Sequence, residues 1–168
     1  MTTSTKEAKK QTGMLVDTNH VDMLIGSYKK ERWVQNSQKL GKADSLSTWY
    51  GLEELQAFIE LAKENQADGI KMYFGVYPEN FAPVPEFQGR QTVVLVATKK
   101  KTTDRGITNK DIYVKKDGKA EILGFNFGQL CPPWCGTGLP PDGDGSFGID
   151  MEKIGISILD SGKEIIVI

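Results

Sequence analysis

The chain has 168 residues, 39% of them hydrophobic and 26% charged, with a formal net charge of -1. That length fits one domain with a sizeable core, and the near-neutral balance gives no general pull toward nucleic acid or an acidic membrane. No apolar run of about 18 residues occurs, which argues against a membrane-spanning helix.

Residues 1–13 are mostly Thr, Lys, Ser and Gln. They are too polar to bury enough surface to order themselves, so a disordered lead is expected ahead of a single domain over 14–168. The lead has no apolar h-region, so no secretory signal is expected and the cytoplasm is the expected location. Under reducing conditions Cys131 and Cys135 are expected as thiols.

The first helix signal starts at Asp17 or Thr18, either of which can cap it. Val21, Leu24, Ile25 and Tyr28 recur at helical spacing, Trp33 or Val34 extends the stripe, and Gly41 ends it. A short extended piece at 47–50 leads to a second helix capped by Gly51. Glu53 and Glu54 lie in its first turn, and Leu52, Leu55, Phe58, Ile59 and Ala62 form its apolar stripe. Asp68-Gly69 stops that helix.

Ile70, Met72, Phe74 and Val76 then alternate with Lys71, Tyr73, Gly75 and Tyr77, as in a half-buried strand. Pro78 ends the strand, and Pro83 and Pro85 hold the next loop extended. The β-branched run from Thr92 to Thr98 predicts a central strand covered on both faces. Lys99 to Asn109 reads as an exposed connection. A hairpin turning at Asp117-Gly118 follows, and two further strands are predicted at 154–159 and 164–168. The predicted class is α+β, an antiparallel or mixed sheet packed on one side by two helices.

Four segments, Trp49 to Leu55, Gly69 to Gly75, Thr92 to Val96 and Leu130 to Cys135, resemble a family of small, functionally uncharacterised bacterial proteins. The resemblance covers about half the chain, over roughly 49–136. It implies a bacterial, single-domain protein and implies no activity, cofactor or site residue.

Two stretches carry candidate chemistry. In Cys131-Pro132-Pro133-Trp134-Cys135 each proline disfavours a helical conformation at the residue before it, and Pro133 suits a β-turn that brings the two cysteines within bridging range. Packed thiols, a redox pair and a metal site are the alternatives. The C-x-x-x-C spacing is not the C-x-x-C of thioredoxin-like sites. Zinc or an iron–sulfur cluster needs about four ligands, against two Cys and the distant His20 in one chain. A homodimer sharing four thiolates would supply them.

The second stretch places Asp142, Asp144, Ser146 and Asp150 at alternate positions of a Gly-rich loop, which suits calcium. Against this, Phe147 stands where an EF-hand has glycine, and Lys153 stands where the bidentate glutamate belongs. Leu139-Pro140-Pro141 also denies the loop an entering helix. A solvated Gly/Asp turn is the plainer reading.

Trp49, Tyr73, Tyr77 and Trp134 are candidate binding aromatics, though strand aromatics more often pack into cores. No phosphate-binding glycine signature and no nucleophile elbow supports an enzyme. The expected function is a non-catalytic interaction domain, presenting the sheet edge, the loop at 78–91 and the knuckle at 131–138 to a protein or small-molecule partner. The alternative is a small thiol-redox or metal-binding protein, with zinc or calcium as the candidate cofactors.

Overall fold

The computed structural model describes residues 12–135 and the two short strands at 158–160 and 165–167. The calcium-loop residues Asp142, Asp144, Ser146 and Asp150, and all but the last two residues of the N-terminal lead, lie outside the described residues.

Helix α1 (Thr18–Tyr28) starts at Asp17, whose carboxylate accepts from the His20 amide at 2.8 Å. It runs through a single π-helical segment, Lys29–Trp33, into α2 (Val34–Leu40). The helix ends at Gly41, where φ of 73° requires a left-handed residue. The π segment aims Trp33 inward. Its ring is 2% exposed and Nε1 donates to the Asp44 carbonyl at 2.7 Å. Asp44 completes the joint: one carboxylate oxygen accepts from the backbone of both Ser45 and Gln91 at 2.7 Å.

Strand β1 (Ser47–Trp49) leads into α3 (Leu52–Glu64), where Glu54 folds back to accept from the Gly51 amide at 2.8 Å. The main sheet follows. Strand β2 (Gly69–Val76) pairs antiparallel with β3 (Gln91–Thr103), bringing Met72 opposite Leu95 and Phe74 opposite Val93. The far side of β3 is shared by β4 (Gly106–Asp111) and the short β7 (Gly124–Phe125). Between these two, β5 (Tyr113–Lys116) and β6 (Lys119–Ile122) form a separate hairpin. Its turn, Asp117-Gly118, has φ of 48° and 78°, the left-handed pair of a type I′ turn.

β8 (Gln129–Cys131) pairs with β1. Near the C-terminus β9 (Ile158–Asp160) pairs with β10 (Ile165–Val167). The fold is therefore α+β, and every strand pairing described is antiparallel.

The central-strand expectation for 92–98 holds, with Leu95, Val96 and Ala97 buried on both faces of β3. Phe58 and Ala62 of α3 cover Leu95 and Ala97, and Phe58 stacks on Phe125 at 5.1 Å between ring centroids. A second core joins the loop after β2 to β8. Tyr77, Phe87 and Leu130 pack there, with Trp134 against Phe87 at 4.9 Å.

Two expectations are corrected. Lys99 to Asn109 is no loop: β3 runs through the lysines to Thr103 and returns as β4, because the ladder to β4 supplies hydrogen bonds that outweigh the polar composition. The cysteines are no free thiols: Cys131 and Cys135 form a disulfide, with both peptide bonds preceding Pro132 and Pro133 cis.

Candidate interaction surface

Hydrogen-bond parity decides what β2 presents. In an antiparallel ladder, alternate residues turn both backbone groups to the same neighbour. Tyr77 donates to Arg90 at 3.0 Å, while Ala97 spends its N–H and C=O on Leu123 and Ile112, away from β2. With the observed register, Lys71, Tyr73 and Gly75 bond to β3, and Ile70, Met72, Phe74 and Val76 turn their N–H and C=O groups outward. Among the described residues β2 pairs with β3 alone, so those outward groups form an open sheet edge.

The same outward residues carry the apolar side chains of the strand. They lie on the face that holds Val93, Leu95 and Ala97, yet α3 reaches only the β3 side of it. Ile70 packs against that core, whereas Met72, Phe74 and Val76 are 67%, 83% and 68% exposed. The strand expected from the alternation is thus present, but it is not half-buried: of its apolar residues only Ile70 is partly covered. A few hundred Å² of contiguous apolar surface along an unpaired strand is the pattern of a binding edge.

Beside Phe74 the surface deepens into a groove of about 300 Å³ between α1 and the sheet. Leu24, Ile25 and Tyr28 form its helical wall, Phe74 and Val93 its sheet wall, and the segment 45–48 one end. The Tyr28 hydroxyl donates to Gln91 Oε1 at 2.6 Å, fixing α1 across the end of β3. Burial raises the Tyr28 phenol above its ordinary value, so it stays a neutral donor.

On the opposite face, Lys71 Nζ lies 2.7 Å from Asp111 Oδ1, and the Tyr73 hydroxyl donates to Asp111 Oδ2 at 2.9 Å. The hydrogen bond from Lys71 holds the Asp111 carboxyl below its ordinary value, and the same bond raises the Lys71 ammonium. This pairing ties β2 to β4 across β3.

The four candidate aromatics divide. Trp49 is 63% exposed and Tyr73 41% exposed, available to a partner on β1 and β2. Tyr77 is 6% exposed inside the second core, where its hydroxyl bonds Asn126, and Trp134 is half-buried against Phe87. Those two pack the Pro-rich loop and the knuckle together in the second core.

The disulfide leaves Cys131 and Cys135 without a thiolate to give a metal. Among the described residues no group of three or more His, Cys, Asp or Glu gathers. His20 sits exposed at the start of α1. The sequence reading missed Met72, Phe74 and Val76 as site residues. Their signal was present in the run Ile70-Lys71-Met72-Tyr73-Phe74-Gly75-Val76, whose single charge leaves a strand edge unusually unguarded. Among the described residues no helix is long and apolar enough to cross a membrane. No family model, no curated protein and no solved structure matches the chain.

Proposed function

We propose that this chain is a non-catalytic binding domain that takes an extended segment of a partner by strand addition at β2, with one partner side chain seated in the groove beside Phe74. The observation that carries this reading is the coincidence of outward backbone groups and exposed apolar side chains at Met72, Phe74 and Val76. Strand addition draws affinity from main-chain hydrogen bonds and specificity from pockets for alternate side chains, and β2 with its groove offers both. Selection of extended peptides on the wild-type protein tests it. Peptides with alternating apolar residues are expected, bound at least about 30-fold more weakly by Phe74→Asp, as at an interface hot spot. A Tyr113→Asp control, exposed on β5 away from the edge, is expected to bind them normally. Peptides bound equally by Phe74→Asp would sink the proposal.

A second reading keeps the knuckle as a thiol–disulfide pair. Its support is the bond between Cys131 and Cys135 itself, together with the exposure of Cys135. Measuring whether small thiols and the protein exchange at a rate set by these two residues separates this reading from a purely structural disulfide.

A further inference from the structure

Strand β2 is complementary to itself. Laid antiparallel against a second copy with Tyr73 on the two-fold axis, it brings Met72 opposite Phe74 and Ile70 opposite Val76. The intervening pairs are Lys71 opposite Gly75 and Tyr73 opposite its own equivalent. This register meets three conditions, the first two of which follow together from the period-two alternation of the strand. It makes hydrogen-bonded pairs of the four residues whose backbone groups turn outward, and leaves the residues committed to β3 as the non-bonded pairs. It sets apolar residues against apolar residues on the one face. It also places the lone charge of the strand opposite a glycine, so the two lysines do not repel one another across the pair.

Lys71 is the residue by which such an edge would ordinarily be guarded. Here its ammonium is drawn back to Asp111 on β4, which removes the charge from the edge. We infer that the occupant of the β2 edge is a second copy of this chain, joined by an isologous β2–β2 contact that merges the two main sheets into one. The inference rests on the reading of β2 as a strand-addition edge and names its partner.

Strand pairing covers the three exposed side chains only along one flank each, so the contact buries at most a few hundred Å² per copy. That is less than the roughly 800 Å² per partner of a standard interface. The dimer is therefore expected to dissociate in the micromolar range and not to be obligate.

The test is sedimentation of the full chain across micromolar to submillimolar concentrations, with residue-level amide exchange at both ends of the range. The expected result is a reversible monomer–dimer equilibrium in which the Ile70, Met72, Phe74 and Val76 amides gain protection with concentration. Phe74→Asp should raise the dissociation constant about 30-fold or more, and Tyr113→Asp should not. Both variants change exposed positions, and near-ultraviolet circular dichroism checks that they fold.

A dimer indifferent to Phe74→Asp overturns the inference, because the contact then lies elsewhere. A monomer with rapidly exchanging edge amides also overturns it, but leaves strand addition to a different partner standing. A monomer whose edge amides are protected at every concentration overturns both readings, since another part of the same chain then covers β2.

Discussion

Lys71 and Asp111 meet at 2.7 Å across the width of β3, one from each strand that flanks it. The pair fixes how β2 lies against the hairpin of β3 and β4, and it turns the only charge of β2 away from its open edge. Because the carboxyl titrates below its ordinary value of 3.8, its contribution to stability is complete above that value and is lost as pH falls through the lowered one. The lysine, raised above 10.5, contributes below that pH and loses its contribution as pH rises through the raised value. Asp111→Asn is therefore expected to be less stable than wild type by a constant margin from about pH 5 to pH 9. The margin should shrink toward zero in acid. Urea midpoints across that range measure it, and a margin that persists unchanged at low pH would show that the ion pair is not its source.

Phe58 and Phe74 offer a sharper contrast, since both are aromatic and both stand over the same face of the sheet. Phe58 is 4% exposed and stacks on Phe125, while Phe74 is 83% exposed. Phe58→Ala removes buried surface and leaves a cavity, at an expected cost of about 3–5 kcal/mol. At concentrations low enough to keep the chain monomeric, Phe74→Ser should change stability by no more than about 0.5 kcal/mol, the usual range for an exposed position without special contacts. Denaturant unfolding of the two variants checks both figures. A large loss at Phe74→Ser would mean that the ring is covered in the folded protein.

Gly128 tests the joint between the two cores. A Cβ built there falls 2.6 Å from Cζ of the Tyr50 ring and closer still to the Thr48 methyl, and Tyr50 is held by its hydroxyl bond to the Val93 carbonyl at 3.0 Å. The ring cannot retreat without giving up that bond. Gly128→Ala is expected to cost about 1–3 kcal/mol by overpacking. Gly124→Ala meets nothing nearer than 3.7 Å and should cost less. Thermal melts of the pair settle the order.

Local pattern carried much of this fold. The apolar stripe of α3 and the alternation of β2 place their elements within a residue or two, because each is set by neighbours in sequence. Helix α3 itself stops at Glu64 and turns at Gln66, where φ is 61°, ahead of the Asp68-Gly69 signal. Alternation says that β2 has two faces, but not how far α3 extends across one of them, and this is why Met72 and Phe74 escaped notice as surface. Lys99-Lys100-Lys101 misled for the opposite reason. Charge suggested a loop, whereas pairing with Asn109, Thr108 and Lys110 keeps the strand going. Tyr77 and Trp134 could not be told from binding aromatics, since their burial depends on Phe87 and Leu130 arriving from other parts of the chain. The Cys131–Cys135 bridge is geometrically within reach of the sequence, and it is the redox environment, which the sequence does not encode, that decides between thiols and the bond observed.

The Cys131–Cys135 bond closes a loop with a sequence separation of only 4. Loop-closure entropy for so small a ring gives it about 2 kcal/mol through the unfolded chain, near the low end for disulfides. Its folded-state effect is local: the segment it closes carries Trp134 against Phe87, and the Leu46 amide donates to the Cys131 carbonyl at 2.7 Å. The double variant Cys131→Ser with Cys135→Ser is expected to stay folded, with a lower melting temperature and altered Trp134 fluorescence, and to keep wild-type association through β2. Loss of association in a variant that still folds would move the functional centre from the sheet edge to the knuckle, because nothing in the β2 contact involves either sulfur. Retained association with the expected loss in stability assigns the disulfide to the second core, where it closes the segment that seats Trp134.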